Sequence, residues 1–339
     1  MIASGSRLMR WGQLVDLLIA VLIVSGCAGS GDILSESPSS ASFTERLNDV
    51  YFLNASEGWI VGNGGTLLHT RNGGATWFSE QSGTTLDLRA IEFSTSNAGW
   101  AVGDGGVVLQ TANSGLNWVR QTSGTSNPLN SVFFRPNETM VGWAVGDNGT
   151  ILHTVNGGFS WMTQVGAGNG HLHDVFFRDP DTGWIVGDQG LILHTTTGTS
   201  GALWSAQLSG TSRNLNAIYW NGNTAGWVVG EGGVLLQSAN DGLTWVRGPQ
   251  TVATGTLTDI LFSGSTVGWI SGEGGTLLQT TGGAASNVGT FWIPRSTGTD
   301  ATLRAIFFIN DKTGWAVGDN GTILYSVDGG SFWIKQFKR

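Results

Sequence analysis

Apolar and polar positions along this chain alternate on two scales. On the short scale, from Leu47 onward, they gather into pieces of about four to six residues. Each piece is rich in branched or aromatic side chains and bounded by Gly, Asn, Asp or Ser, the pattern of strands joined by tight turns. Around the stretch Gly142 to Trp161, GWAVGDNGTILHTVNGGFSW, the predicted strands are Leu129–Phe134, Gly142–Val145, Thr150–Thr154 and Ser160–Gln164. Gly146-Asp147-Asn148-Gly149 joins the second to the third, with Asn and Gly able to take the positive φ of a tight turn. No amphipathic run at helical spacing follows residue 27.

On the long scale the whole pattern returns. The Gly-Trp pairs begin at Gly58, Gly99, Gly142, Gly183, Gly226, Gly268 and Gly314, in steps of 41, 43, 41, 43, 42 and 46 residues. A second tryptophan follows each, at Trp77, Trp118, Trp161, Trp204, Trp245, Trp292 and Trp333, so only Trp11 and Trp220 of the 16 tryptophans lie outside the pattern. Four antiparallel strands repeated at such a period describe one propeller blade, and seven copies predict an all-β, seven-bladed β-propeller. The first strand of each copy reads LNDVYF, LRAIEF, LNSVFF, LHDVFF, LNAIYW, LTDILF or LRAIFF. A blade packed between two neighbours is expected to bury both faces of its strands. The sixth position of this strand (Phe52, Phe93, Phe134, Phe177, Trp220, Phe262, Phe308) suits the wedge between blades, each ring contributing about 2 kcal/mol by burial.

Residues 1–27 fall outside this pattern. Arg7 and Arg10 precede the apolar run Leu14–Val24, interrupted by Asp16 and followed by Ser25-Gly26-Cys27. A basic start, a short apolar run and small residues describe a secretory signal, too short for a comfortable membrane span. The end of this segment resembles the bacterial lipoprotein box, which implies lipidation of Cys27, the chain's single cysteine. An ordinary secretory signal with an incidental cysteine is the alternative. Residues 28–45 are small and polar and read as a flexible tether, leaving 46–339 for the propeller. The expected location is an exported protein, lipid-anchored to a bacterial membrane.

Without the leader the chain carries 14 basic against 23 acidic residues, which argues against a nucleic-acid partner. A monomer without cofactor or metal is expected. The loops Gly198–Leu203 and Gly282–Thr290 are the longest irregularities and carry no recognisable chemistry.

Several repeated positions could carry function. The segments TRNGGATW, TANSGLNW, TVNGGFSW, SANDGLTW and SVDGGSFW resemble the Asp-box of sialidases and other propellers, with Asn72, Asn113, Asn156, Asn240 and Asp328 at the Asp position. Asn serves the turn as well as Asp does but cannot serve acid catalysis, so a structural role is expected. The turn after the second strand holds Asn63, Asp104, Asp147, Asp188, Glu231, Glu273 and Asp319, either a rim for cations or a basic segment, or repeated turn chemistry, which is favoured. The glycines beside them are followed by no helix, so a phosphate cradle fails its context. Position two of the first strand varies inside a constant frame: Asn48, Arg89, Asn130, His173, Asn216, Thr258 and Arg304. If that strand lines the central channel, these side chains gather at its mouth, on the face of the acidic turns, where a partner could dock. His69, His153 and His194 share a third-strand position with Gln and Tyr, which favours hydrogen bonding over metal binding; His171-x-His173 with Asp174 is a weak metal pattern. Glu92, where other copies carry an aromatic or Leu, looks inward alone, and no nucleophile–base set or facing carboxylate pair marks an enzyme.

The repeat, GWAVGDxGTILHTxDGGxxW preceded by LxxIxF, resembles the photosystem II assembly and stability factor family over Leu47 to Arg339, and through the lipid box over the leader as well. That resemblance implies a seven-bladed propeller, often lipid-anchored or lumenal, that binds reaction-centre protein and other assembly factors without catalysis. The basic patch credited to the family is echoed here by Arg89 and Arg304, with Arg213 nearby. An Asp-box glycan-binding protein or glycoside hydrolase of the cell surface is the alternative.

Overall fold

Seven four-stranded antiparallel sheets, each built from strands consecutive in the chain, make up the propeller. The computed structural model describes residues 44–336 apart from 167, 200, 202, 222–224, 249–252, 265 and 283–290. The leader, Cys27, nearly all of the tether, parts of the Gly198–Leu203 loop and nearly all of Gly282–Thr290 therefore lie outside the described residues. In the third blade the strands are Leu129–Phe134, Gly142–Gly146, Thr150–Thr154 and Met162–Gln164. The innermost strands of successive blades pack side by side, and that of the seventh blade packs against that of the first, which closes the ring around a central channel.

Second strands are buried throughout, as GWIVG at Gly58–Gly62 illustrates. Innermost strands depart from the expectation of two buried faces. Their first, fourth and sixth residues are buried, whereas the second and fifth are half-buried in every blade because that face looks into the channel.

The Gly-Trp pair has a packing cause. The position-six ring lies across the glycine of its own blade: a Cβ on Gly58 would sit 2.5 Å from Cδ1 of Phe52. The tryptophan then slides beneath the ring of the next blade. Phe134 stacks on Trp100 at 3.5 Å between centroids, Phe177 on Trp143 at 3.5 Å and Phe308 on Trp269 at 3.6 Å. The second tryptophan of each blade meets the same ring edge-on, as Trp161 meets Phe134 at 6.1 Å. One ring per blade thus joins three elements, a geometry that aromatic quadrupoles favour.

The Asp-box residues are turn residues, as their chemistry implied. Asn72, Asn156 and Asn240 accept the backbone N–H of Thr76, Ser160 and Thr244 at 2.9–3.0 Å, and Asp328 accepts that of Phe332 at 2.9 Å. The same turns tie blades together: Gly73, Gly157 and Gly329 offer their carbonyls to the indole N–H of Trp315, Trp100 and Trp269 in the preceding blade. Closure between blades seven and one uses the same parts. Phe52 stacks on Trp315 at 3.4 Å, Gln336 Nε2 donates to Gly73 O at 3.3 Å, and Gly321 N donates to Glu45 O at 3.0 Å. Among the described residues no strand is exchanged between the ends of the chain.

His153 and His194 of the third strands depart from the hydrogen-bonding expectation, whereas His69 has Glu57 and Glu80 3.5 and 3.6 Å from its ring nitrogens. All three lie against the tryptophan of their own blade, His69 on Trp59 at 4.4 Å, His153 on Trp143 at 5.0 Å and His194 on Trp184 at 4.9 Å. His153 and His194 leave Nε2 without a hydrogen-bond partner, and burial holds both imidazoles below the usual histidine range.

Candidate functional site: the channel mouth

Each innermost strand carries a bulge at its second residue, where pairing with the second strand skips from the first residue to the third. A bulge re-aims the side chain at the extra residue. Here it turns position two toward the rim, within reach of two acceptors: the first carbonyl of the next blade's innermost strand and the acidic turn of its own blade. Asn130 Nδ2 donates to Leu172 O at 2.8 Å and to Asp147 Oδ1 at 2.9 Å. Asn48 donates to Leu88 O at 2.7 Å and Asn63 Oδ1 at 3.0 Å, and Asn216 to Leu257 O at 2.7 Å. Thr258 Oγ1 donates to Leu303 O at 2.5 Å.

Arg89 and Arg304 stand at the same position and reach their own turns. Arg89 Nε lies 2.6 Å from Asp104 Oδ1, and Arg304 Nε lies 2.6 Å from Asp319 Oδ1. Arg46, one residue before the first strand, adds a third guanidinium 3.1 Å from Asp319. Burial pushes the Asp319 carboxyl up, but Arg304 and Arg46 outweigh it and hold the group below the usual range. His173 Nε2 is 3.1 Å from Asp188 and His171 Nδ1 is 3.0 Å from Asp147, so the two histidines serve different carboxylates rather than one metal. No cluster of His, Cys, Asp and Glu fit for a metal occurs among the described residues. Glu231 accepts from Asn214 at 3.1 Å and Glu273 from Thr256 N at 2.8 Å, with no cation beside either among the described ion pairs. Arg213 lies over Gly232, 3.5 Å from that glycine's would-be Cβ, beside the mouth.

The rim is therefore divided. Arginines paired with the acidic turns gather on blades seven, one and two, whereas the described ion pairs include neither Glu231 nor Glu273 on blades five and six. A cavity of 490 Å³ joins the sectors, lined by Arg46, Arg89 and Arg304 on one side and by Asn216, Thr258 and Glu273 on the other. The acidic turn residues are acceptors for the protein's own donors; the sequence placed them on one rim but not in these pairs.

Deeper in the channel, position three carries buried aspartates, of which the sequence drew attention only to Asp174, beside two histidines. Asp49, Asp174 and Asp259 each bridge two blades: Asp49 accepts Val50 N and Ile91 N, both at 2.8 Å. Asp174 accepts Val175 N, Ile218 N and Ser131 Oγ at 2.8–2.9 Å, and Asp259 accepts Ile260 N and Ile306 N at 2.7 and 2.9 Å. Burial pushes the three carboxyls up to about 8, 7 and 6 against the opposing pull of these N–H donors. The legible signal was the variation Asp, Ala, Ser, Asp, Ala, Asp, Ala at this position. Below them Glu92 shares the channel with Tyr51, Phe133, Phe176 and Phe307, and burial, then Asp49 and Asp174, raise its carboxyl well above the usual range. Asp49 has both oxygens engaged by backbone, so it offers Glu92 no free catalytic mate.

Solved structures share this architecture. One described as "YCF48 bound to D1 peptide" is 19% identical, with a TM-score of 0.68, covering 84% of this chain and 94% of its own. YCF48 from Cyanidioschyzon merolae is 21% identical at a TM-score of 0.67, covering 84% and 96%. An ancestral GH74 enzyme is 14% identical at 0.69, covering 87% of this chain and 46% of its own. No curated protein matches the sequence. The family model described as "Photosynthesis system II assembly factor YCF48" matches residues 37–129, 123–210 and 202–281. Three matches that run through successive blades cover most of the chain, and it belongs to the photosynthesis system II assembly factor YCF48 family.

Proposed function

We propose that this protein is a non-catalytic docking factor of photosystem II assembly, which receives a protein segment at the channel mouth. Family membership and the convergence of Arg46, Arg89 and Arg304 on the 490 Å³ cavity support that reading. Each guanidinium keeps donors beyond those its aspartate uses, suited to a carboxylate of the incoming segment. Glu273 across the cavity is suited to a basic group of the same segment. The D1 peptide bound by a structurally similar propeller is the natural probe.

Titration of a D1 peptide by calorimetry is expected to weaken about tenfold or more in Arg89→Ala/Arg304→Ala, since a hydrogen-bonded charge contributes about 1.5–3 kcal/mol. Unchanged affinity would remove the site from the mouth. Catalysis has no support in the residues: Glu92 lacks a positioned partner, and the likeness to the GH74 enzyme is one of fold. We further propose that Cys27 is lipidated and that residues 28–45 tether the propeller to a bacterial membrane from the exported side. Mass spectrometry of the mature N-terminus is expected to find the acylated cysteine, and Cys27→Ala to release the protein from the membrane fraction.

A further inference from the structure

His173 stands where other blades use an amide, and it makes the same two contacts as Asn130. Its Nδ1 is 3.0 Å from Leu215 O of the fifth blade, and its Nε2 is 3.1 Å from Asp188 Oδ1 of its own turn. Both partners are acceptors that cannot donate. Asn130 meets such a pair with the two hydrogens of one NH2 group, which does not titrate near neutrality. An imidazole meets it only when both ring nitrogens carry hydrogen. Once neutral, it must turn a lone pair toward either the carbonyl or the carboxylate.

We infer that His173 is a proton-operated clasp between blades four and five, and that it tunes the mouth as a docking surface. Both contacts hold together only while both ring nitrogens carry hydrogen, and loss of either hydrogen opens the link to blade five or the link to the rim. The charged groups around it are few. Asp188 faces it from its own turn, and Asp174 lies next to it in the strand, bonded to Ile218 N and Ser131 Oγ. On the blade-three side His171 pairs with Asp147, a contact that one tautomer of a neutral ring still satisfies. On the blade-five side Glu231 is held by Asn214. Blade four is therefore fastened at the mouth by imidazoles, whereas amides and a hydroxyl fasten the blades of Asn48, Asn130, Asn216 and Thr258.

The consequence for docking rests on the function proposed above; the clasp itself does not. Long-range 1H–15N spectra of the free protein between pH 5 and 8.5 read the His173 ring directly. The expected result is protonation of both nitrogens at the acidic end, with the amide signals of Asn216 and Asp188 following the ring as the second proton leaves. His173→Asn, which restores the arrangement of blade three, is expected to keep the fold and abolish those coupled shifts. In the same window D1 peptide affinity is expected to change about fivefold more in the native protein than in His173→Asn, whose remaining change belongs to the buried aspartates of the channel. A single neutral tautomer throughout, or neighbouring amides that ignore the ring, would overturn the clasp. Titration as described with the same affinity profile in both proteins would overturn its regulatory role. Absence of peptide binding at every pH, with the titration intact, would count against the docking reading and leave the clasp supported.

Discussion

At the scale of single residues, Asp49, Asp174 and Asp259 spend their carboxylates on the backbone of the neighbouring blade. Their folded pKa values lie above the ordinary aspartate value of 3.8, so the folded protein binds more protons than the unfolded chain between about pH 4 and 8. Their contribution is complete below the ordinary value and is lost as pH rises through 6 to 8. Calorimetric melting is expected to show stability falling steadily as pH rises from 5 to 8.5. Asp49→Asn/Asp174→Asn/Asp259→Asn is expected to flatten that slope; a native profile rising with pH would refute the assignment. Glu92 offers the converse experiment. Its carboxylate has no hydrogen bond or ion pair among the described residues, and Glu92→Phe, matching its counterparts Phe133, Phe176 and Phe307, is expected to add about 1–3 kcal/mol of stability, read as a higher melting temperature. Position two was legible in the sequence because it varied inside a constant frame. Position three varied as well, but an aspartate inside a strand reads as an ordinary polar residue until the bulge and the neighbouring blade's N–H groups are known.

At the scale of elements, the joint between blades is a ring on a tryptophan. Replacing Gly99 by Ala would bring a Cβ within 2.5 Å of Phe93, with no soft neighbour to yield. Gly99→Ala is expected to cost about 1–3 kcal/mol by overpacking, visible as a lower denaturant midpoint. Trp315→Phe removes a stack and the hydrogen bond to Gly73 O, whereas Trp143→Phe removes a stack from an indole whose N–H has no partner. The first is expected to cost about 1 kcal/mol more than the second. Strand limits were legible to within a few residues, since turns here are written in Gly, Asn and Asp. The outermost strand of blade three, expected from Ser160, pairs only from Met162, because Asn156 holds Ser160 in its turn. Alternation in the innermost strand departs from the expectation of two buried faces because that strand alone also borders the channel.

Over the whole molecule, the repeat count and the fold could be read from tryptophan spacing, but the way the ring shuts could not. The seam between blades seven and one is made from parts found at other joints, a ring stack and the indole bond that Trp100 and Trp269 also make, with Arg46 and Asp319 at its upper end. Every blade is one uninterrupted stretch of chain, about 42 residues from one Gly-Trp pair to the next. Among the described residues the seam is bonded in the same way as the joints at Trp100 and Trp269. An unequal genetic exchange that copied or removed one such stretch would add or delete a finished part, leaving no orphaned strand to be matched elsewhere. The architecture can thus be enlarged, reduced or re-ordered by recombination in whole units, with the mouth chemistry carried along one side chain at a time.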